Sequence, residues 1–222
     1  MELRALPALC LLIAMSAVDA ATGEDALDDL LIAARNDNIA AVQKLLNAGM
    51  SQDSSDRDGN TLVLIAASEG YVDLARVLLE RHAKAGIPNA AGDTPLKLAA
   101  LHGNEELVRL LIVHGAPVNT AGWSALHYCA WGGYTALCES LLNAGGRVNA
   151  RAPNGATPLM MAARQGHLQT VRWLLDQGAD PTLKTDADAT ALDWALTYGQ
   201  SDVAGVLRAR AEAQCGPETR TC

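Results

Sequence analysis

Five histidines, His82, His102, His114, His127 and His167, have the widest chemical reach in this chain. Imidazole can ligate a metal or carry a proton near neutral pH. None of the five has a second histidine four residues away, and no Cys-x-x-Cys lies near them, so the spacing of a zinc site is missing. Asp56-Arg57-Asp58-Gly59-Asn60 looks like the opening of a calcium loop. Such a loop needs a bidentate acid six residues after its glycine, and Ile65 stands there. Asp180, Asp186 and Asp188 have no comparable frame. The chain has no glycine-rich phosphate loop and no nucleophile elbow. These residues predict no catalytic group, no metal ligand set and no cofactor.

Charge and composition narrow the partners. The formal net charge is -8, which makes the chain a poor general binder of nucleic acid or of anionic membrane. Half the residues are hydrophobic, so a real core is expected, yet only 4% are aromatic and Phe is absent. The core must therefore be thin and filled by Leu, Ala, Val and Ile.

Residues 1–20 read as a secretory signal peptide. Arg4 precedes an apolar run from Leu6 to Val18, and Val18-Asp19-Ala20 offers small residues where a signal peptidase cleaves. That run is short of the roughly 20 residues that span a bilayer. Cleavage after Ala20 and a periplasmic or secreted location are the expectation, with no membrane contact once the leader is removed. Cys10 is not placed for lipidation, because Leu9 precedes it and the run continues past it.

The elements that position any site repeat along the chain. Thr61-Leu-Val-Leu-Ile-Ala-Ala67, Thr94-Pro-Leu-Lys-Leu-Ala-Ala100, Ser124-Ala-Leu-His-Tyr-Cys-Ala130, Thr157-Pro-Leu-Met-Met-Ala-Ala163 and Thr190-Ala-Leu-Asp-Trp-Ala-Leu196 are one motif, with a looser copy from Asp28. Their starts at 28, 61, 94, 124, 157 and 190 are 33 residues apart except for one interval of 30. A second block recurs downstream as Val42–Leu46, Ala75–Leu79, Val108–Ile112, Cys138–Leu142 and Val171–Leu175. The opening Thr or Ser caps a first helix, Pro suits its first turn, and a Gly breaks the chain before a second helix. One such pair cannot bury both its faces, so stacked pairs must share one elongated core.

The pattern resembles the ankyrin repeat family, on the T-P-L-x-x-A-A blocks at 94–100 and 157–163, the S-A-L-H block at 124–127, Gly166-His167-Leu168 and the Leu-Leu…Gly-Ala ends. The resemblance implies an all-α solenoid of about six helix-turn-helix units joined by short β-hairpin loops. The repeat domain would span 21–211, with units near 24–55, 56–88, 89–119, 120–149, 150–182 and 183–211 and a flexible tail over 212–222. The 30-residue interval predicts a clipped finger, since Asn119 to Gly122 is three steps where Asn149 to Gly155 is six. His127 falls in the family's T-P-L-H place, where a hydrogen bond between neighbouring turns is expected of it. The resemblance also assigns Asp56–Asn60 to a repeat-linking turn.

Cys129 replaces a core Ala in a first helix and Cys138 a core Val in the second helix of the same unit. They read as two buried thiols or as a bridge, and thiols are favoured because spacing alone does not guarantee disulfide geometry. Cys215 and Cys222, in the tail Cys215-Gly-Pro-Glu-Thr-Arg-Thr-Cys222, are expected to pair in an oxidising compartment.

The resemblance further implies a non-catalytic, monomeric scaffold that binds a protein of unknown identity on its concave face. It does so through the residue after each turn glycine and the pair ending each first helix. Those places hold Asn60, Asp93, Trp123, Ala156 and Ala189, and Arg35-Asn36, Ser68-Glu69, Leu101-His102, Trp131-Gly132, Arg164-Gln165 and Thr197-Tyr198. Leu101, His102, Trp123, Trp131, Arg164, Gln165 and Tyr198 are the expected partner-binding residues. One buried Trp contributes roughly 4–6 kcal/mol gross at about 25 cal/mol/Å². Trp123 could instead fold over the clipped finger, and Trp173 and Trp194 are expected to pack internally. Such a scaffold could support a secreted enzyme; an inhibitor or immunity-type protein that blocks a toxic enzyme is the other reading.

Overall fold

Threonine caps set the start of the first helices. In the computed structural model, which describes residues 24–214, the hydroxyl of Thr61 accepts from the Leu64 amide, Thr94 from Lys97, Thr157 from Met160 and Thr190 from Asp193. Each such bond satisfies one orphan amide and contributes about 1 kcal/mol. At Thr190 the cap is reciprocal, because the Asp193 carboxylate also accepts from the Thr190 amide at 2.8 Å.

Twelve helices follow among the described residues. They are α1 over 24–35, α2 (Ile39–Asn47), α3 (Leu62–Glu69), α4 (Val72–Glu80), α5 (Pro95–Leu101), α6 (Glu105–Val113), α7 (Ala125–Gly132), α8 (Thr135–Asn143), α9 (Pro158–Gln165), α10 (Leu168–Asp176), α11 (Ala191–Thr197) and α12 (Ser201–Gln214). The sequence assigned 212–214 to a tail; α12 runs through them. Even-numbered helices are one-sided: Leu74 and Leu78 in α4, Leu107 and Leu111 in α6, and Leu137 and Leu141 in α8 are fully buried, while the opposite faces meet water. Odd-numbered helices bury alanines, such as Ala66, Ala99, Ala130, Ala162 and Ala195. Small side chains let these helices approach closely, and α3, α5, α7, α9 and α11 meet one another along more of their length than α4, α6, α8, α10 and α12 do. A stack tighter on one side curves towards it, so the odd-numbered layer lines the concave side.

The connecting fingers are tight turns, not paired strands. The expected β-hairpins reduce, among the described residues, to one isolated bridge between Ser55 and Thr61. Each regular finger closes on itself instead, with the amides of Asp56, Asn89, Ala152 and Thr185 donating to the carbonyls of Asn60, Asp93, Ala156 and Ala189. A turn that tight needs a left-handed residue. Gly59, Gly92 and Gly155 supply it, and Asp188 takes the same conformation at φ 61° in the last finger. The clipped finger, Asn119–Trp123, has no counterpart of the closing bond among the described residues. It is tied sideways: buried Lys97 donates its Nζ to the carbonyls of Gly92 and Ala121, and the Asn119 side chain donates to Gly145 and accepts from the Arg147 amide.

Cys129 and Cys138 form a disulfide between α7 and α8, with Cα atoms 5.6 Å apart and both residues fully buried. The free-thiol expectation is therefore wrong. The two helices of one unit lie antiparallel and in contact, and at these two positions their Cα separation falls in the window a bridge requires. The leader at 1–20 and the expected Cys215–Cys222 pair lie outside the described residues. Among the described residues, no helix is long and apolar enough to cross a membrane.

Candidate functional site

The concave layer is held in register by side chains that reach back one unit. The Tyr71 hydroxyl donates to the Arg35 carbonyl, His167 Nε2 to the Trp131 carbonyl at 2.8 Å, and the Gln200 side chain to the Arg164 carbonyl. His167 and Gln200 lie against turn glycines of the preceding unit, Gly133 and Gly166, as Tyr134 does against Gly103, whereas the first unit has Asp37 in that left-handed place. A Cβ on Gly103 would stand 2.5 Å from the Tyr134 ring, and one on Gly133 2.6 Å from His167. These glycines are needed for close approach as much as for their left-handed backbone. Trp131 and Arg164, at the ends of α7 and α9, are thus fixed by their own main chain.

Arg164 is the centre of the site. Its guanidinium carbon lies 4.5 Å from the ring centroid of Tyr198, 5.2 Å from that of Trp131 and 5.9 Å from that of Trp194. Each ring face attracts the cation electrostatically, by about 0.5–2 kcal/mol per pair depending on desolvation. Arg164, Trp131 and Trp194 are half-buried and Tyr198 is exposed. The structure thus joins three of the expected residues, Trp131, Arg164 and Tyr198. It adds Trp194, which the sequence reading expected to pack internally and which packs half-buried against the core while also facing Arg164. Trp194 and Tyr198 are four residues apart on α11, so they share a helix face, and that spacing was the available signal. Trp173 is half-buried against the core, as an internal residue at the edge of its helix would be.

The other expected residues stand apart from this cluster. Trp123 is half-buried at the clipped finger, edge-on to the His127 imidazole with centroids 5.4 Å apart. That is the local packing contact. Leu101 and His102 are exposed at the end of α5, and Gln165 is half-buried beside Arg164; none of the three enters the stack.

His127 pins the fourth unit to the fifth. Its Nδ1 accepts from the Ser124 amide at 3.1 Å and its Nε2 donates to the Ala156 carbonyl at 3.1 Å. That pattern suits the neutral ring. Burial pushes its pKa from the ordinary 6.5 down to about 4, against the opposing pull of the carbonyl contacts. The first three units use a different device. The Asp56 carboxylate accepts from the amides of Asp58 and Asn60, the Asn60 side chain and Arg35, and Asn89 donates onward to the Asn60 side chain. Burial would raise the Asp56 pKa, but the Asn60 and Asp58 hydrogen bonds and the Arg35 charge outweigh it and hold the carboxyl below its ordinary range.

No three His, Cys, Asp or Glu residues among those described are grouped to hold a metal. The cluster at Arg164 offers a cation and three ring faces, groups suited to recognition.

The family model described as ankyrin repeats matches this chain in three overlapping copies, over residues 5–89, 81–152 and 126–217. A protein of Treponema pallidum (strain Nichols) named as ankyrin repeat-containing is 32% identical over 134 residues, covering 59% of this chain and 45% of that protein. Ankyrin repeat and KH domain-containing protein mask-1 of Caenorhabditis elegans is 33% identical over 176 residues, covering 78% of this chain and 7% of that protein. The Equus caballus ankyrin repeat, SAM and basic leucine zipper domain-containing protein 1 is 38% identical over 138 residues, covering 60% and 23%. The chain spans less than half the length of each of these relatives.

Proposed function

The chain belongs to the ankyrin repeat family, whose repeats are protein-interaction modules and generally non-catalytic, and from that premise we propose that it binds a partner protein through the fourth, fifth and sixth units of its concave side. One observation carries this reading: three aromatic rings from two units converge on a single half-buried arginine at the concave surface. Large aromatics and arginine are the side chains that dominate binding energy at protein interfaces. Trp131 and Trp194 also pack against the core, half-buried, yet keep their rings against Arg164, and Tyr198 stands exposed beside them.

An exported location is part of the same proposal. The apolar leader supports it, and so does a fully buried disulfide, because disulfides persist in oxidising compartments. The protein works there as a single chain that binds its partner non-covalently.

The test is crosslinking and recovery of the partner from the native compartment, with Trp131→Ala and Tyr198→Ala as variants. Tyr198 is exposed, so its truncation is expected to cost only its stacking on Arg164, about 1 kcal/mol. Both variants should lose the partner while keeping the helical signal and a cooperative melting transition, lowered more for Trp131→Ala, which also packs on the core, than for Tyr198→Ala. Recovery of the same partner by both folded variants would refute the reading.

A further inference from the structure

The Arg164 guanidinium is held by ring faces, yet its edge is free. Among the described residues it enters no ion pair and donates no hydrogen bond; only its backbone carbonyl is used, by Gln200. Arg35, Arg76, Arg81, Arg151 and Arg210 all donate to protein acceptors. Arg57, Arg109, Arg147, Arg172 and Arg208 share the free edge of Arg164, but among the described residues Arg164 alone is also stacked on aromatic rings. Stacking leaves the in-plane N–H groups available, and these form a planar fork that matches a carboxylate two bonds at a time. The rings also limit the rotamers of the side chain, so little freedom is lost when the fork is filled.

Nothing nearby in the repeat register answers the charge. The matching concave positions of units four to six, Trp123, Trp131, Gly132, Ala156, Gln165, Ala189, Thr197 and Tyr198, are all uncharged. In units one to three the same register holds Arg35, Glu69 and Asp93, and Arg35 is already paired with Asp56 at 2.7 Å. The whole chain carries -8, which opposes a densely anionic partner such as a nucleic acid or a lipid surface. A single carboxylate on an otherwise apolar segment meets little of that opposition.

We propose that Arg164 reads an Asp or Glu side chain of the partner protein. The carboxylate docks edge-on to the guanidinium, and apolar neighbours in the same segment pack against the Trp131, Trp194 and Tyr198 rings. This assignment rests on the docking surface proposed above and supplies its chemistry.

A random peptide display library selected on the full chain tests both and separates them. The selected peptides, resynthesised with acetylated and amidated ends, should share an acidic residue. Their affinity should fall by at least about tenfold for Arg164→Gln and for replacement of the acidic residue by its amide. Arg164→Glu should then favour peptides in which that acid is replaced by Lys, a gain that mere unfolding could not produce. Peptides weakened by Trp131→Ala and Tyr198→Ala but not by Arg164→Gln would overturn the carboxylate assignment and leave the surface standing. Peptides that bind only with a free carboxy terminus would overturn the side-chain assignment. Peptides indifferent to all three positions, or no enrichment at all, would overturn both.

Discussion

Units one to three and units four to six are built on one repeat and held together by different chemistry. In the first half the fingers are laced by a polar chain, Arg35 to Asp56 to Asn60 to Asn89, in water-exposed or half-buried positions. The clipped finger at Asn119 interrupts that chain of side chains, although polar links between units resume through Asn149 and Arg151. Beyond it His127 to Ala156 and the Cys129–Cys138 bridge are buried, and His167 and Gln200, half-buried, reach back to main-chain carbonyls as Tyr71 does in the first half. A repeat architecture fixes where helices go but not which side chains secure them. The half that no longer spends its concave positions on lacing presents aromatic rings and an unpaired cation.

Acid should separate the halves most. His127 is neutral in the fold down to about 4, whereas in the unfolded chain it protonates near 6.5. Between these values the unfolded state holds the extra proton. Stability is therefore full above pH 6.5 and falls as pH drops towards 4, by up to about 3 kcal/mol. Melting across that range should show the loss, and His127→Gln should flatten the dependence. A parent protein with constant stability from pH 7 to 4 would mean that this pin is not closed.

Removing the bridge comes next. Cys129→Ala with Cys138→Val restores the small and branched side chains of the neighbouring units. It should lower stability by about 2.5 kcal/mol, the loop-entropy value for a closure this short. Oxidised and reduced protein should differ in melting by a similar amount, while the double variant should ignore reductant. Asp56→Ala breaks the polar lacing and should cost less, about 1–2 kcal/mol, because water can replace part of it. Peptide or partner binding at Arg164 should survive Asp56→Ala unchanged, as measured by titration; a loss there would couple the two halves.

Much of this was legible in the chain. The 33-residue period, the capping threonines and the turn glycines give paired helices directly, because each of those residues has one local job. The clipped finger was equally plain from its missing residues. Trp131 and Arg164 could be read as neighbours, since they lie one period apart and so occupy the same place in adjacent units. The contribution of Trp194 was obscured by treating the helix as a hydrophobic period, when its i, i+4 relation to Tyr198 decides which face the ring shares. The bridge between Cys129 and Cys138 could not be read from their nine-residue spacing, since bond formation depends on where two packed helices set their Cα atoms. The choice of pin at each unit boundary is likewise a tertiary matter: His167 and Gln200 hold equivalent positions and do the same work with different groups.

The central claim is that the second half of the concave surface takes the partner. Site-specific photocrosslinking in the native compartment tests it most directly, with one probe at Gln165, beside Arg164, and another at Ser68, in the equivalent layer of the first half. A discrete adduct from position 165 and none from 68 is the predicted result. An adduct from 68 alone would contradict it.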